Sequence, residues 1–343
     1  MLYNNNNGKI FRPFSLLAQI TNKKYSVPLE RVIVDLGADN PFEHVAQKVK
    51  EHYGITLATS AALRITEKHA TSAHTYEAER LKDVDKSQAG SDIIITEIDG
   101  GMVPTVRTSI PKEGEIITDK RKHKTLEWRE AKICLVHPVG ATKPIFAGTF
   151  DGPYEAGEQL YYCAKQSGYT SETKVHAVGD GALWIADQVQ QQFGTQGEYL
   201  IDFYHLCEYL SAAAKVIAAN NSAKWMDEQK IRMKNNEKSK VLTELLPNIE
   251  PPETLDEDAP VRSCYRYITN RPEQFKYMEA IANELPIGSG EVESSHRYIV
   301  QKRLKLAGAW WKVSNAQHML SLRIMRFNGR WDAYWTKVMK QAS

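Results

Sequence analysis

The stretch IIITEID, residues 93–99, decides the fold class of this chain. It is a β-branched run that predicts a strand ending at Asp99, and GGMVPTVRTS, residues 100–109, follows as its predicted hairpin partner. Strand and helix patterns then follow one another in the order strand, strand, strand, helix, strand, helix, strand. This order predicts an α/β fold in which helices pack against a mixed sheet. The later strands are predicted at residues 128–139, 143–150, 174–181 and 198–205, and the helices at 155–168 and 182–194.

Two helical patterns precede the sheet. Residues 41–53 place apolar side chains at helical spacing, and Gly54 ends that helix. Residues 58–70 predict a second helix, which Thr59 or Ser60 would cap.

The two helices together have the outline of a helix-turn-helix, whose second helix would enter the major groove of DNA. Arg64 and Lys68 share the outer face of that second helix, where they would meet phosphates. A plain helical hairpin gives the same pattern, so both interpretations stay open.

The chain beyond the sheet is helical and ends in a basic tail. Residues 206–285 are almost entirely helical in pattern, apart from a proline- and acid-rich loop at 248–260, and another amphipathic helix is predicted at 315–326. Between Arg297 and Lys340 there are ten lysines or arginines and one acid, although the whole chain has a net charge of only +2. This tail suits a polyanion partner, or else is a solvated helix face with buried tryptophans. Its tryptophans are Trp310, Trp311, Trp331 and Trp335.

Composition excludes several classes of protein. A hydrophobic content of 42% and a charged content of 25% are typical of globular domains, and no apolar run approaches the roughly 20 residues of a membrane span. The first residues contain no signal-peptide core, so we expect a cytoplasmic protein. The four cysteines are far apart without CxxC spacing, which predicts scattered buried thiols instead of disulfides or a zinc ribbon.

Two aspartates come at the ends of predicted strands. Asp99 ends the first strand, and Asp180 follows the strand KVHAV between two glycines. Either residue alone could be a turn residue. Functional groups collect at strand ends in open sheets, so the two carboxylates could meet if the first and fourth strands are neighbours.

A third acid is expected from IGSGEVESSHRYIVQKRLK, residues 287–305. At about 100° per residue in a helix, Glu293 falls on the apolar face between Val300 and Leu304, whereas Glu291 falls outside it. A glutamate on a packed face needs a partner, either a metal ion or Arg297 one turn later.

Glu291 is explained as an acid in the first turn of that helix, close to a Ser289 cap. Two aspartates and one glutamate suit a two-metal phosphoryl-transfer site, because Mg²⁺ and Mn²⁺ prefer oxygen ligands.

The motifs resemble bacterial insertion-sequence transposases of the DDE class, particularly the ISKra group, and more distantly the Mutator-like transposases. The resemblance runs from about residue 90 to 336, with the motifs in the family's order. They are DGGMVPT at 99–105, GDGALWI at 179–185, LIDFYHLCEYL at 200–210, IGSGEVESSHRYIVQKRLK at 287–305 and LRIMRFNGRWDAYW at 322–335.

The resemblance implies an RNase H-like mixed-sheet core with an α-helical insertion at residues 206–285. The core would consist of residues 91–205 and of 286–343, which carry the glutamate helix and basic helices, and residues 1–90 would form an N-terminal DNA-binding region. The family triad maps to Asp99, Asp180 and Glu293, which would hold two Mg²⁺ or Mn²⁺ ions.

The resemblance also implies partners and a reaction. Water would attack a phosphodiester at the end of the element, and the freed 3′-hydroxyl would then attack target DNA. The partners would be terminal inverted repeats, target DNA and further copies of the chain, at the bacterial nucleoid. The residues expected against phosphates in the tail are Arg297, Lys302, Arg303, Lys305, Arg323 and Arg326.

Other interpretations remain open. Asp202 and His205 match a motif that follows the second aspartate in related transposases, which implies an ancillary role near the site, but Asp202 could simply cap the next helix. The whole chain could be a catalytically inactive or truncated transposase-derived protein that binds DNA. An RNase H-like nuclease would share the same chemistry.

Overall fold

The computed structural model describes residues 3–4, 10–11, 25–84, 89–108 and 124–342. A short antiparallel pair, β1 (Tyr3–Asn4) and β2 (Ile10–Phe11), precedes a five-stranded mixed sheet. The order across that sheet is β5-β4-β3-β6-β7, with β3, β6 and β7 parallel and β4 antiparallel to both of its neighbours. Its strands are β3 (Ile93–Thr108), β4 (Lys124–Pro138), β5 (Ile145–Thr149), β6 (Lys174–Gly179) and β7 (Gly197–Ile201).

Helices cover the sheet and extend beyond it. Those before and between the strands are α1 (Val27–Asp39), α2 (Phe42–Tyr53), α3 (Thr59–Lys82), α4 (Pro153–Gln166) and α5 (Leu183–Phe193). Those after the sheet are α6 (Phe203–Ile217), α7 (Ser222–Lys234), α8 (Lys238–Leu245), α9 (Pro260–Thr269), α10 (Tyr277–Ala282), α11 (Gly290–Ser295), α12 (Lys302–Leu304), α13 (Val313–Phe327) and α14 (Trp331–Ala342). A π-helix, His296–Gln301, joins α11 to α12, and short 3-10 turns lie at Gly194–Gln196, Leu246–Asn248 and Asp256–Asp258.

The mixed α/β fold and the order of the sheet's elements are as predicted, but the first hairpin is not. Residues 93–108 form one continuous strand, and its antiparallel partner is β4. Gly100 and Gly101 pair with Lys132 and Ala131 within this ladder, and neither has the positive φ that a tight hairpin turn requires. The glycine pair is therefore part of the strand, and Asp99 lies inside the strand and not at its end.

The two faces of the sheet have different cores. On one face, Ile94 and Ile98 of β3 pack with Leu160 of α4 and Val189 of α5. The other face is covered by α1–α3 together with α11, the π-helix and α13. Side chains of this second core include Val45, Ile65, Val103, Ile133, Leu135, Val292, Ile299, Met319 and Leu320.

Residues 203–282 form a helical layer with its own core. Leu206 and Leu210 of α6 pack with Met233, Val241 and Val261 from the following helices. The helical pattern predicted for residues 206–285 is thus confirmed as secondary structure. The four cysteines are free and buried, as their spacing predicted. Among the described residues, no helix is both long and apolar enough to span a bilayer.

The helices before the sheet differ from the prediction in length and capping. α2 ends at Gly54, which has φ +65, as predicted. α3 continues through 24 residues to Lys82, because residues 70–82 contain neither glycine nor proline. Its N-cap is Ala58, without a side-chain hydrogen bond, so neither Thr59 nor Ser60 caps it.

Candidate active site

The two predicted aspartates come from neighbouring parallel strands. β3 pairs with β6 in a register whose last pair is Glu97 beside Val178, and Asp99 and Asp180 each follow that pair by two residues. β6 pairs with β7 with Val178 beside Leu200, a pair that Asp180 and Asp202 likewise follow by two residues. β3 and β6, which are the first and fourth strands of this sheet along the chain, are therefore adjacent, which was the condition for the two aspartates to meet.

The negative charges of the other two predicted acids both act on the Asp99 carboxyl. Burial raises the pKa of the Asp99 carboxyl, and the negative charges of Asp180 and Glu293 raise it further. A positive charge on His296 and the hydrogen bond from Gly100 N–H to Asp99 Oδ1, 2.7 Å long, act in the opposite direction. Asp99 is thus a half-buried carboxylate with two like charges near it.

Three side chains form hydrogen bonds with the start of α11 and the turn before it. One comes from β3, one from β6 and one from the residue that follows β7. His176 Nε2 of β6 donates to the Pro286 carbonyl at 2.7 Å. Ser289 donates from both its N–H and its Oγ to Asp202 Oδ2, each at 2.6 Å. Val292 N–H donates to Glu97 Oε2 of β3 at 2.8 Å. These bonds hold the start of the glutamate helix on the sheet.

Glu97 is a functional candidate that the sequence interpretation missed. It is 2% exposed, and burial together with the negative charges of Glu291 and Asp202 raises its pKa to about 8, against the hydrogen bonds that it accepts from the α11 backbone. Side chains alternate along a strand, so Glu97 and Asp99 share one face of β3. The spacing of two acids in an otherwise apolar strand was the signal in the sequence.

The helical phase predicted for Glu293 is wrong, whereas Glu291 lies outside the packed face as predicted. Both Glu291 and Glu293 are exposed, and Glu293 does not lie on the packed face with Val300 and Leu304. The regular α-helix ends at Ser295, and in the π-helix that follows the hydrogen bonds span five residues instead of four, which changes the phase.

The two glutamates differ in their surroundings. Glu291 Oε2 lies 3.4 Å from His137 Nε2, whereas the negative charge of Glu293 is one of the causes that raise the pKa of the Asp99 carboxyl. Within the described part of the chain, Glu293 has no ion pair with Arg297. Ser289 makes no side-chain capping bond to α11, and the cap is supplied by Glu97.

His296 is a second candidate that was missed. Its Nε2 donates to the Asp99 carbonyl at 3.2 Å and lies 3.5 Å from Asp99 Oδ2. The ring packs on Gly101, where a Cβ atom would be only 2.8 Å from His296 Nδ1. His296 follows Glu293 by three residues, a spacing that places both on one side of a helix.

Asp202 and His205 have separate structural surroundings. Asp202 is 4% exposed and caps α6 through Oδ1, which accepts from the N–H groups of Tyr204 and His205. The capping interpretation is therefore confirmed, and the bonds to Ser289 add a link to the glutamate helix. His205 is half-buried against the rings of Tyr209 and Tyr267.

The basic residues of the tail divide into exposed and buried groups. Arg297, Lys302 and Lys305 are exposed. Arg303 and Arg323 are 2% and 1% exposed and donate to backbone carbonyls, so the expectation that they lie against phosphates is wrong for this structure.

The remaining basic residues that were expected against DNA are Arg326 of α13 and Arg64 and Lys68 of α3. Arg326 pairs with Asp35 and Asp39, at 3.2 Å and 3.1 Å. On α3, Arg64 and Lys68 are exposed on one face as predicted, and Lys68 Nζ also contacts Glu30 Oε2 at 2.9 Å.

The donor set fits a hard divalent cation in type and charge. Asp99, Asp180 and Glu293 offer carboxylate oxygens, which Mg²⁺ and Mn²⁺ prefer, and in the described ranges neither Asp180 nor Glu293 has a cationic partner within an ion-pair distance. The described residues nevertheless contain no group of three or more His, Cys, Asp or Glu side chains already arranged to hold a metal ion.

Comparisons with known proteins add one family. The model of an uncharacterised protein family, UPF0236, matches residues 158–340, more than half of the chain, which include Asp180 and Glu293 but not Asp99. No curated protein matches the sequence. The solved Drosophila P element transposase strand transfer complex is similar at 8% identity over 95% of this chain and 83% of that chain, with a TM-score of 0.34. Similarity of this size does not indicate a shared fold or function.

Proposed function

The chain belongs to the uncharacterised protein family UPF0236, and we propose that it is a DDE transposase. It would cut DNA at the ends of an insertion sequence and join those ends to target DNA. The resemblance of its motifs to the ISKra group is the source of this proposal, and the arrangement of the acids supports it.

One observation carries the proposal. Asp99 and Asp180 each follow the last residue pair of the adjacent parallel strands β3 and β6 by two residues, and the negative charges of Asp180 and Glu293 raise the pKa of the Asp99 carboxyl. Glu293 comes from α11 beside the sheet, and a bound cation would neutralise the repulsion among the three carboxylates. A site of this kind suits phosphodiester cleavage and joining, in which a negatively charged phosphate must come close to the carboxylates.

The proposed roles follow from these positions. Asp99, Asp180 and Glu293 would hold two Mg²⁺ or Mn²⁺ ions, which when bound supply activation of an attacking oxygen and stabilisation of a leaving oxygen. Glu97, Asp202 and His176 would orient the glutamate helix through the hydrogen bonds that they make at its start. His296 would fix the position of Asp99 by donating a hydrogen bond to its backbone carbonyl.

DNA is the proposed partner. Arg297, Lys302 and Lys305 follow the glutamate on the same segment and are exposed, so they would contact phosphates and make binding dependent on salt. Arg64 and Lys68 on α3 form the second proposed contact. A dimer or higher oligomer on DNA is expected, since two element ends must be joined together.

The test is Asp180→Asn in an assay with a plasmid that carries intact element ends. Cleavage and strand joining in Mg²⁺ should fall by about 100-fold or more, because the loss of one carboxylate removes several kcal/mol of charge stabilisation. DNA binding, measured by fluorescence anisotropy in chelator, should stay close to the wild type. Asp187→Asn removes the same charge from an exposed site on α5 and is the matched control.

The outcomes separate the alternatives. Mg²⁺-dependent joining that survives in Asp180→Asn would refute the assignment. Binding by the wild type without any cleavage would instead indicate a DNA-binding protein that has lost catalysis. Cleavage without joining would indicate a nuclease of the RNase H-like type.

A further inference from the structure

A cavity of about 430 Å³ lies at the C-terminal end of β3, several residues beyond Asp99. Its walls include Phe42 and Leu63 from helices α2 and α3, Val106 of β3, and residues 306–312 between α12 and α13. This segment is tied to β3, since Trp311 N–H donates to the Pro104 carbonyl and Val106 N–H donates to the Trp311 carbonyl. The cavity is therefore built onto the same strand that carries Asp99.

The two adjacent tryptophans at this cavity differ in their exposure to solvent. Trp311 is 6% exposed and forms part of the core, whereas Trp310 is 57% exposed. The Trp310 ring is thus exposed to solvent at the edge of the cavity. Such a ring offers a free face on which another flat ring can stack.

Buried hydrogen-bond donors line the same cavity without acceptors. The Arg303 guanidinium lies between the rings of Phe42 and Trp311, 4.7 Å from each, and its Nε donates to the Gly37 carbonyl at 2.9 Å. Within the described ranges, Arg303 Nη2 and Trp311 Nε1 are buried and have no hydrogen-bond partner. Buried donors without partners are costly, so the site favours a ligand that carries acceptor atoms.

The charge of the cavity is positive. Lys124 and Lys312 are exposed on its lining and add to Arg303. Glu67 is the one acid among the described lining residues, and its Oε1 already accepts a hydrogen bond from Asn315 Nδ2. A ligand with negative charge and hydrogen-bond acceptors is complementary to this lining.

We infer that the cavity binds an unpaired nucleotide of DNA, with its base stacked on Trp310 and its phosphate beside Lys124 and Lys312. A nucleobase has a flat face that can stack on the exposed Trp310 ring. It also has carbonyl or ring-nitrogen acceptors that can pair with the unpartnered donors of Arg303 and Trp311. The inference rests on the proposed function, because it assumes that DNA lies along this face.

The position of the cavity is consistent with one DNA strand reaching both sites. Thr105, which is bridged to Trp311, follows Asp99 by six residues along a continuous strand. At about 3.3 Å per residue this is roughly 20 Å, which is about the rise of six base pairs. An unpaired nucleotide here would thus lie several positions away from the phosphodiester at the acids.

The experiment compares two single-stranded 12-mers of equal charge, oligothymidylate and its fully abasic analogue, by fluorescence anisotropy in chelator. The wild type should bind oligothymidylate about tenfold more tightly than the abasic strand, the size expected for base stacking on one aromatic ring. Trp310→Ala should lose about tenfold for oligothymidylate and little for the abasic strand, and Trp310→Phe should lie between. Trp128→Ala is the matched control, because Trp128 is 56% exposed but does not line the cavity.

Each result bears on the inference. Equal binding of both strands by the wild type would overturn it, and would indicate phosphate contacts alone while leaving the DNA-binding proposal intact. A loss in Trp128→Ala as large as that in Trp310→Ala would also overturn it. If the wild type binds neither strand nor duplex DNA, the proposed function itself fails.

Discussion

Glu291 and Glu293 are two residues apart in one turn, both are exposed, and they differ in their surroundings. Glu291 Oε2 lies close to His137 Nε2, whereas the negative charge of Glu293 raises the pKa of the Asp99 carboxyl. The two side chains also have the same chemistry, so a comparison of the two isolates position as the variable.

At the residue scale, Glu293→Gln should lower Mg²⁺-dependent strand joining by about 100-fold or more, because a proposed metal ligand loses its charge. Glu291→Gln should change it by less than about threefold, since its partner is a histidine outside the acid group. Both proteins should unfold in urea at nearly the same concentration. A larger loss in Glu291→Gln than in Glu293→Gln would contradict the assignment of the third acid.

At the scale of elements, the site depends on how closely the glutamate helix approaches β3. Glu97 caps α11 from below, and His296 in the adjoining π-helix packs directly over Gly101. Gly101 has an ordinary strand conformation within the β4 ladder, so its role is the absence of a side chain.

Gly101→Ala should therefore push the π-helix away from the strand. An added Cβ would lie 2.8 Å from His296 Nδ1 and 2.9 Å from its Cε1, so we expect a loss of about 1–3 kcal/mol in the free energy of unfolding together with lower strand joining. Gly290→Ala is the control from the same helix, because a Cβ there meets nothing within 4 Å. Equal stability of the two proteins in urea would show that the close approach is unimportant.

At the scale of the whole molecule, the helices before the sheet share a core with the helices at the end of the chain. Arg323 of α13 donates to the Ala38 and Ile299 carbonyls and pairs with Asp39. Glu30 of α1 accepts from Lys68 and His69 of α3, each at 2.9 Å, and His69 in turn contacts the Tyr334 hydroxyl of α14. The N-terminal helices are thus held against the rest of the chain by buried polar contacts.

This network should make stability depend on pH. Burial raises the pKa of Glu30, but the hydrogen bonds from His69 and Lys68 and their positive charges outweigh it and lower the pKa from 4.5 to about 2. A lowered folded-state pKa stabilises fully above about pH 4.5, and the stabilisation is lost as the pH falls towards 2.

Glu30→Gln should consequently cost about 2 kcal/mol of unfolding free energy at pH 7 and less near pH 2.5, measured by urea unfolding. The exposed Glu43→Gln on α2 is the control and should show no such dependence. A cost of the same size at both pH values would show that packing, and not the charge of Glu30, stabilises this junction.

The sequence by itself determined the order of strands and helices and the end of α2 at Gly54. These features are set by neighbours a few residues away, through periodicity, backbone preference and residue type. IIITEID predicts a strand with an acid, wherever that strand lies in the sheet.

Only the tertiary structure decided which of these residues meet. The pairing of β3 with β6 sets Asp99 and Asp180 two residues beyond the same residue pair, and the hydrogen bond from Val292 to Glu97 joins residues 195 positions apart. The π-helix changed the phase of Glu293, and packing buried Arg303 and Arg323. Register, helical phase and burial depend on contacts between distant segments, which local patterns along the chain do not specify.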